Sequence, residues 1–401
     1  MTERSPLVML SAGEASGDLH AAHLFRELKK LIPNLRGIGM GGVRMREAGI
    51  ELRCDSTHLA VIGLAEVAKH YGEIRRALRS MQQIACEEKP DLLICVDYKE
   101  FNFRLARKAK ECGVKVLFYV SPQVWAWRPG RVKSYGRIVD HMAVIFPFEV
   151  PFYEAYKIPV TYVGHPLAGK VKPSMERSEA MAKFGFAGKR PVIGLLPGSR
   201  VNEINRLMPV ILDAAGRLAH EFPGAQFVLF RAPSISDELL HSHLALSDLP
   251  VRVIEGQDYD ALQCCDAVIT VSGTATLEVA LLGIPMAIVY RLTPLSYWLG
   301  RLLVRIPYIG LPNILAGRHV VREFIQHDAA PDNIAGEITR ILRDHDYAEA
   351  MRQALRQIRD DLGDKNGALK LAQLAAEMLN LESKPKAASD QSVSQCMNNL
   401  V

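Results

Sequence analysis

Three clusters hold the residue types from which a nucleotide site and a proton acceptor can be built. Ser272, Gly273 and Thr274 form a small-residue turn between an apolar run over residues 267–271 and a helical segment that carries Glu278. A strand that delivers a glycine turn to a helix start presents unpaired N–H groups and the positive end of the helix dipole, both suited to a diphosphate. A carboxylate one turn further on can accept hydrogen bonds from ribose hydroxyls. The same shape also serves as an ordinary strand-to-helix connection, and the segment alone favours that plainer role. Pro197, Gly198, Ser199 and Arg200 end a second apolar run. There glycine lets backbone approach a phosphate, Ser199 can donate, and Arg200 offers a forked cation to a pyrophosphate. Two such turns on one sheet strengthen each other, because ligands of these sheets bind at the carboxyl ends of strands. Neither turn has the lysine of a P-loop or the three glycines of the dinucleotide fingerprint, which argues against ATP hydrolysis and NAD.

The third cluster is Asp97, at the end of the apolar run 92–96. A carboxylate at a strand's carboxyl end can act as general base toward a hydroxyl, and it can equally cap the helix that follows. Gly13, Glu14, Ser16, Gly17 and Asp18 pose the same choice: their small residues leave room for a ligand, and the turn can also be purely structural. Two further stretches have the composition of contact surfaces. Residues 59–64 are apolar, include Val61, Ile62 and Leu64, and are followed by Val67 and by Lys69, Arg75, Arg76 and Arg79. Apolar residues beside cations suit an interfacial membrane contact, although such stripes are more often core. Residues 290–306 mix Tyr297, Trp298, Leu302 and Leu303 with Arg291, Arg301 and Arg305. Trp125, Trp127 and Arg128 add aromatic and basic character near a strand end, but no stacking module, zinc site or recognition helix accompanies them, so nucleic acid is a poor partner.

Alternating strands and helices must position these residues. Apolar runs at 7–11, 35–40, 91–96 and 115–120 alternate with helical segments, the first over 19–31, and a second series has runs at 191–196, 226–230, 251–254, 267–271 and 285–289. That alternation predicts an α/β chain with two doubly wound parallel sheets. A stretch rich in charge and proline near 170–178 marks the linker. The expected domains are therefore 1–170 and 171–345, followed by C-terminal helices over 346–382 and a polar, disordered tail over 383–401.

At 401 residues, 49% hydrophobic and 23% charged, the composition is that of a soluble globular enzyme. Residues 1–165 hold 24 Lys and Arg against 18 Asp and Glu, whereas the remainder is balanced at 25 against 26. The N-terminal half is thus expected to meet something anionic, unless its surface charge is merely uneven. Seven cysteines without CxxC spacing read as reduced thiols of a cytoplasmic protein. The N-terminus lacks the apolar segment of a signal peptide, and the long apolar tract 267–290 is broken by Glu278, Gly283 and Pro285, so no transmembrane helix is expected.

The motifs AGEASGD (12–18), VSPQVWAWR (120–128), LLPGSR (195–200), SGTATLE (272–278) and LPNILAG (311–317), in this order, resemble lipid-A-disaccharide synthase, a family of inverting glycosyltransferases with the GT-B fold in Gram-negative bacteria. The resemblance covers residues 11 to about 381. It implies two Rossmann-like domains with an interdomain cleft, the first facing acceptor and membrane, the second binding the donor. It further implies that UDP-2,3-diacylglucosamine donates its sugar to 2,3-diacylglucosamine 1-phosphate, giving a β-1,6-linked disaccharide and UDP without metal or cofactor. Asp97 falls where the family has its general base. Gly198, Ser199, Arg200, Glu203, Ser272, Gly273, Thr274, Glu278 and Asn313 fall in the UDP-sugar motifs, and Gly13, Glu14, Ser16 and Gly17 fall on the acceptor side. A peripheral place on the cytoplasmic face of the inner membrane and a homodimer are the remaining expectations. One departure stands out: Tyr98, Lys99 and Glu100 replace the family's usual Ala, Pro, Asp after the aspartate. A sugar-nucleotide epimerase and a non-catalytic nucleotide-sugar binder are the rival readings.

Overall fold

The computed structural model describes residues 5–57, 64–127, 129–186, 188, 191–256, 258–293, 297, 307–363 and 367–379. The first sheet comprises β1 (Leu7–Ala12), β2 (Arg36–Gly41), β3 (Glu51–Asp55), β4 (Leu92–Val96), β5 (Lys115–Tyr119), β6 (His141–Val144) and β7 (Val160–Tyr162), in the spatial order β3-β2-β1-β4-β5-β6-β7. The second comprises β8 (Val192–Leu196), β9 (Gln226–Arg231), β10 (Val251–Glu255), β11 (Ala267–Val271), β12 (Met286–Tyr290) and β13 (Arg322–Ile325), in the order β10-β9-β8-β11-β12-β13. Both follow the doubly wound scheme in which the chain starts centrally, runs outward, returns and runs the other way. The point of return lies between β1 and β4 in one sheet and between β8 and β11 in the other.

Helices precede, link and follow these strands. In the first part of the chain they are α1 (Ala15–Leu31), α2 (Val43–Glu47), α3 (Leu64–Glu87), α4 (Lys99–Glu111), α5 (Val124–Trp127), α6 (Val132–Gly136) and α7 (Glu149–Glu154). Then come α8 (Arg177–Lys183), α9 (Val201–Glu221), α10 (Asp237–Leu244), α11 (Tyr259–Leu262), α12 (Thr274–Leu281) and α13 (Leu311–Ala316). The last three are α14 (Pro331–Arg343), α15 (His345–Asp361) and α16 (Gly367–Met378). Contacts divide the chain into two compact units, one formed by Met1–Leu117 with the stretch from Ala368 onward, the other by Phe118–Gly367.

Periodicity explains which faces are covered. On α1, Ala21, Leu24, Phe25 and Leu28 recur at helical spacing and are buried; on α9, Ile204, Leu207, Met208, Ile211, Ala215 and Leu218 do the same. Full burial of one such large apolar side chain stabilises by about 1.5–3 kcal/mol. The central strands β1, β4, β8 and β11 are buried at every position, as parallel strands with both faces covered must be. In contrast, the edge strands β3 and β10 contain only exposed and half-buried residues, strictly alternating in β3. The second unit has one continuous core running from Phe146 through β8, β9, β11 and β12 to Ile358 and Leu362.

One finding differs from the reading of the cysteines. Cys86, at the end of α3, and Cys112, just past α4, form a disulfide with Cα atoms 5.3 Å apart. Cys54, Cys95, Cys264 and Cys265 are free thiols, and burial is the leading reason why each is pushed above its ordinary value, Cys264 to about 11. Val61 and Ile62 of the expected membrane contact lie outside the described residues, as do Arg128, Trp298, Arg301, Leu302, Leu303, Arg305 and the tail 383–401. Leu64 and Val67 lie on the backbone of α3, with side chains outside what is described. No helix among the described residues is long and apolar enough to cross a membrane.

Candidate functional site

In the first unit, β1 and β4 are neighbours with Ala12 opposite Val96, so the turns that leave them emerge side by side at the sheet's carboxyl edge. Gly13, Glu14, Ser16 and Gly17 follow one strand, Asp97 and Tyr98 the other. A Cβ on Gly13 would lie 2.3 Å from the Tyr98 ring, so the absence of a side chain at Gly13 lets the aromatic face lie directly on the backbone. A Cβ on Gly17 would lie 3.3 Å from the Ala12 side chain and 3.5 Å from the Val96 carbonyl, a much looser fit. Glu14 and Ser16 are exposed on the turn. The Tyr98 hydroxyl is pushed above its ordinary value by burial first, then by the nearby charges of Glu14 and Cys54.

Asp97 and Tyr98 both have left-handed backbone, with φ of 51° and 47°. For two successive residues carrying a Cβ this conformation costs about 1–2 kcal/mol each. The helix cap expected as an alternative use of Asp97 is not made: Tyr98 occupies the N-cap position of α4 and no side-chain cap hydrogen bond is present. Asp97 itself is half-buried, a carboxylate on a strained strand-to-helix turn. Beneath it, buried Asn102 donates to the carbonyls of Asp97 (2.7 Å), Ser11 (3.2 Å) and Val96 (3.4 Å), and accepts from the Ser11 hydroxyl (2.6 Å).

Asp18 has a different use. It is buried, and its two oxygens accept the backbone N–H groups of Gly42 (2.7 Å), Arg44 (3.0 Å) and Met45 (3.1 Å). The last residue of the AGEASGD motif therefore ties α1 to the start of α2, where those donors have no partner within the helix.

In the second unit, β8 pairs with β11 and places Leu196 opposite Thr270, which brings the turns 197–200 and 272–274 together at the carboxyl edge. Gly198 has φ of 114°, and a Cβ there would meet the Glu203 carboxylate at 2.6 Å. Glu203 folds back over the turn, accepting the N–H of Ser199 (3.1 Å) and pairing with Arg200 (2.8 Å). The Arg200 side chain remains 69% exposed, so its guanidinium faces solvent from a fixed root. On the facing turn Gly273 and Thr274 are exposed, and the Ser272 hydroxyl donates to the Ile309 carbonyl (2.9 Å). Glu278, on the first turns of α12, is buried and accepts the Tyr259 hydroxyl at 2.9 Å.

Asn313 is fully buried. It donates to the Val321 carbonyl (2.8 Å) and to Glu323 (2.7 Å), and it accepts the N–H groups of Val320 (2.7 Å) and Val321 (3.0 Å). Glu323 also accepts the N–H groups of Ile309 (3.0 Å) and Gly310 (2.9 Å). The LPNILAG motif is thereby fastened to β13 on one side and, through Ile309, to Ser272 on the other.

The VSPQVWAWR motif follows β5. Val120 and Gln123 have φ of 64° and 52°, and the segment between them is held by a 2.7 Å hydrogen bond between the hydroxyls of Ser121 and Tyr153. Trp125 donates to buried Glu149 (3.0 Å), which also accepts the N–H of Phe146 (3.1 Å). Burial raises the Glu149 carboxyl, and hydrogen bonds from Ser121, Trp125 and the backbone oppose that rise. Sequence reasoning missed Asn102, Glu149, Tyr259 and Glu323. For Asn102 the signal was present, five residues beyond Asp97 on the first turn of a helix; for the others only the fold supplies the partner.

Comparison with known proteins identifies the family and the fold. A family described as lipid-A-disaccharide synthetase matches residues 8–378. The lipid-A-disaccharide synthase of Geobacter sulfurreducens is 52% identical over 380 residues, 94% of this chain and 99% of that protein. Among solved structures, the complex of S. aureus MnaA with UDP superposes with a TM-score of 0.63 at 16% identity, covering 96% of this chain and 100% of that one. The calicheamicin glycosyltransferase CalG4 superposes at 0.60 with 17% identity, covering 94% and 99%. At such identities the structural likeness concerns the fold, which is that of GT-B glycosyltransferases.

Proposed function

The chain belongs to the lipid-A-disaccharide synthase family and is a glycosyltransferase of lipid A biosynthesis, and from that premise we propose how its residues divide the reaction. The donor is UDP-2,3-diacylglucosamine and the acceptor 2,3-diacylglucosamine 1-phosphate. Asp97 takes the proton of the acceptor's 6-hydroxyl while that oxygen attacks the anomeric carbon from the face opposite UDP. The C–O bond to UDP breaks as the new β-1,6 bond forms, so one displacement inverts the centre. Charge developing on the departing diphosphate is met by Arg200 and by the N-terminus of α12 at Gly273. Glu278, aligned by Tyr259, receives the ribose hydroxyls. Glu203 and Asn313 serve the donor side as framework, the one shaping the turn 197–200 and the other the segment 309–317.

The observation that carries this reading is the place of the candidate residues: in each sheet they lie at the point where strand order reverses, β1/β4 for Asp97 and β8/β11 for Arg200 and Ser272. That is where doubly wound sheets bind ligands. Gly13, Glu14, Ser16 and Gly17, beside Asp97, belong on this reading to the acceptor's surroundings. Acylated substrates require access to lipid, which supports a peripheral place on the cytoplasmic face of the inner membrane through residues 61–67 and the basic residues after them. Vesicle flotation checks this: association with anionic vesicles in low salt is expected, and its absence contradicts the membrane contact.

Product analysis tests the reaction. The protein is incubated with acylated or unacylated UDP-glucosamine, with and without the acylated sugar phosphate. Disaccharide and UDP in equal amounts, formed only when both acylated substrates are present, are expected. Conversion of UDP-N-acetylglucosamine without acceptor would make the protein an epimerase, and binding without UDP release would make it a non-catalytic binder.

A further inference from the structure

We propose that Asn102 is a positioning residue for Asp97, holding the candidate base in its left-handed conformation without touching either substrate. The inference rests on the reading of Asp97 as general base and deepens it. Asn102 is fully buried, so contact with a substrate is excluded in this conformation. Its side chain stands on the first turn of α4, and helical side chains lean toward the helix N-terminus, which aims this one back at the ends of β1 and β4.

The chemistry at that spot calls for an amide. The carbonyls of Val96 and Asp97 stand where the chain leaves β4 and enters the left-handed region, and a buried carbonyl without a donor is costly. Asn102 supplies the donor to both, and to Ser11 on the neighbouring strand, while its own oxygen accepts the Ser11 hydroxyl. Aspartate or leucine could not do both. Fixing the Asp97 carbonyl at 2.7 Å fixes the peptide plane between Asp97 and Tyr98, and with it the direction in which the Asp97 carboxylate leaves the backbone. Tyr98 closes the arrangement from the other side by lying on Gly13. Two successive left-handed residues with side chains persist only where the surroundings over-determine them, and such strain gathers at functional sites.

A double-mutant cycle read by single-turnover kinetics tests the proposal, using Asn102→Ala, Asp97→Asn and the pair. Asn102→Ala is expected to lower the rate of sugar transfer roughly 30- to 100-fold, with UDP affinity and donor KM within about twofold of the parent, as loss of alignment alone predicts. In the Asp97→Asn background the same change should cost less than about twofold, because the group it positions is already gone. An equal loss in both backgrounds, a loss confined to KM, or a rate within about threefold of the parent would overturn the positioning role. If Asn102→Ala is not folded by circular dichroism, Ser11→Ala carries the same cycle; it removes only the hydroxyl that orients the amide, and a drop of about three- to tenfold, absent in the Asp97→Asn background, is expected. A near-normal rate for Asp97→Asn by itself would instead refute the base, and Asn102 would then have nothing catalytic to position.

Discussion

Replacing Asp18 by alanine separates a structural from a ligand-binding use of the AGEASGD turn. Three backbone N–H groups, those of Gly42, Arg44 and Met45, converge on this one carboxylate at 2.7–3.1 Å, and the side chain is 6% exposed. A hydrogen bond to a charged group is worth about 1.5–3 kcal/mol, and a buried donor left without a partner costs about 1–3 kcal/mol. The three bonds share one acceptor and are not additive, so the loss comes to about 4 kcal/mol, close to a thousandfold in the local opening equilibrium. Hydrogen exchange with mass spectrometry on peptides spanning residues 36–50 reads that opening directly. Amide protection at 42–45 should fall roughly a thousandfold in Asp18→Ala and only about tenfold in Asp18→Asn, which retains one acceptor oxygen. UDP affinity, on the proposed assignment a property of the second unit, should not change. Protection within about threefold of the parent in Asp18→Ala would refute the capping role and return Asp18 to the list of ligand candidates.

Three further outcomes are expected. Gly13→Ala puts a Cβ 2.3 Å from the Tyr98 ring and should lower turnover by more than about tenfold while UDP binding is retained; normal turnover would mean that the Tyr98–Gly13 contact does not matter to the site. Cys86→Ser opens a disulfide of sequence separation 26 and should cost about 3 kcal/mol in urea unfolding, with dithiothreitol producing the same loss in the parent and none in the variant; equal stability of parent and variant would contradict the bridge. Tyr259→Phe removes the hydroxyl held by Glu278 and should weaken UDP about tenfold by calorimetry with kcat at saturating donor nearly unchanged; an unchanged dissociation constant would show that Glu278 does not depend on it.

Much of the fold was legible because its central strands are long apolar runs closed by glycine turns. β1, β4, β8 and β11 were expected within a residue of where they lie, and they carry the candidate turns. The elements that escaped are β3, β6, β7 and β13, three to five residues each. β3, reading Glu, Leu, Arg, Cys, Asp at a sheet edge, has none of the hydrophobic continuity that marks a buried strand. At the candidate site, Asp97, Gly198 and Ser272 were expected at strand ends, and the structure sets them just past β4, β8 and β11. Residue type could not tell which carboxylates point outward: Asp18 and Asp97 look alike in sequence, yet one caps α2 and the other sits on a left-handed turn that caps nothing. Nor could it reveal that Asn313 spends its whole amide inside the chain, since its partner Glu323 lies on β13, a strand that the sequence pattern did not disclose, and Val320 and Val321 lie just before it.

The division of labour between the two sheets is tested most directly by Asp97→Asn assayed with both acylated substrates, alongside UDP binding to the same preparation. Asparagine keeps the shape of the side chain and removes only its capacity to accept the acceptor's proton. Transfer should fall by about a thousandfold, within the range ascribed to a general base, while the dissociation constant for UDP stays within about twofold of the parent. A near-normal rate of transfer with UDP bound as before would contradict the account.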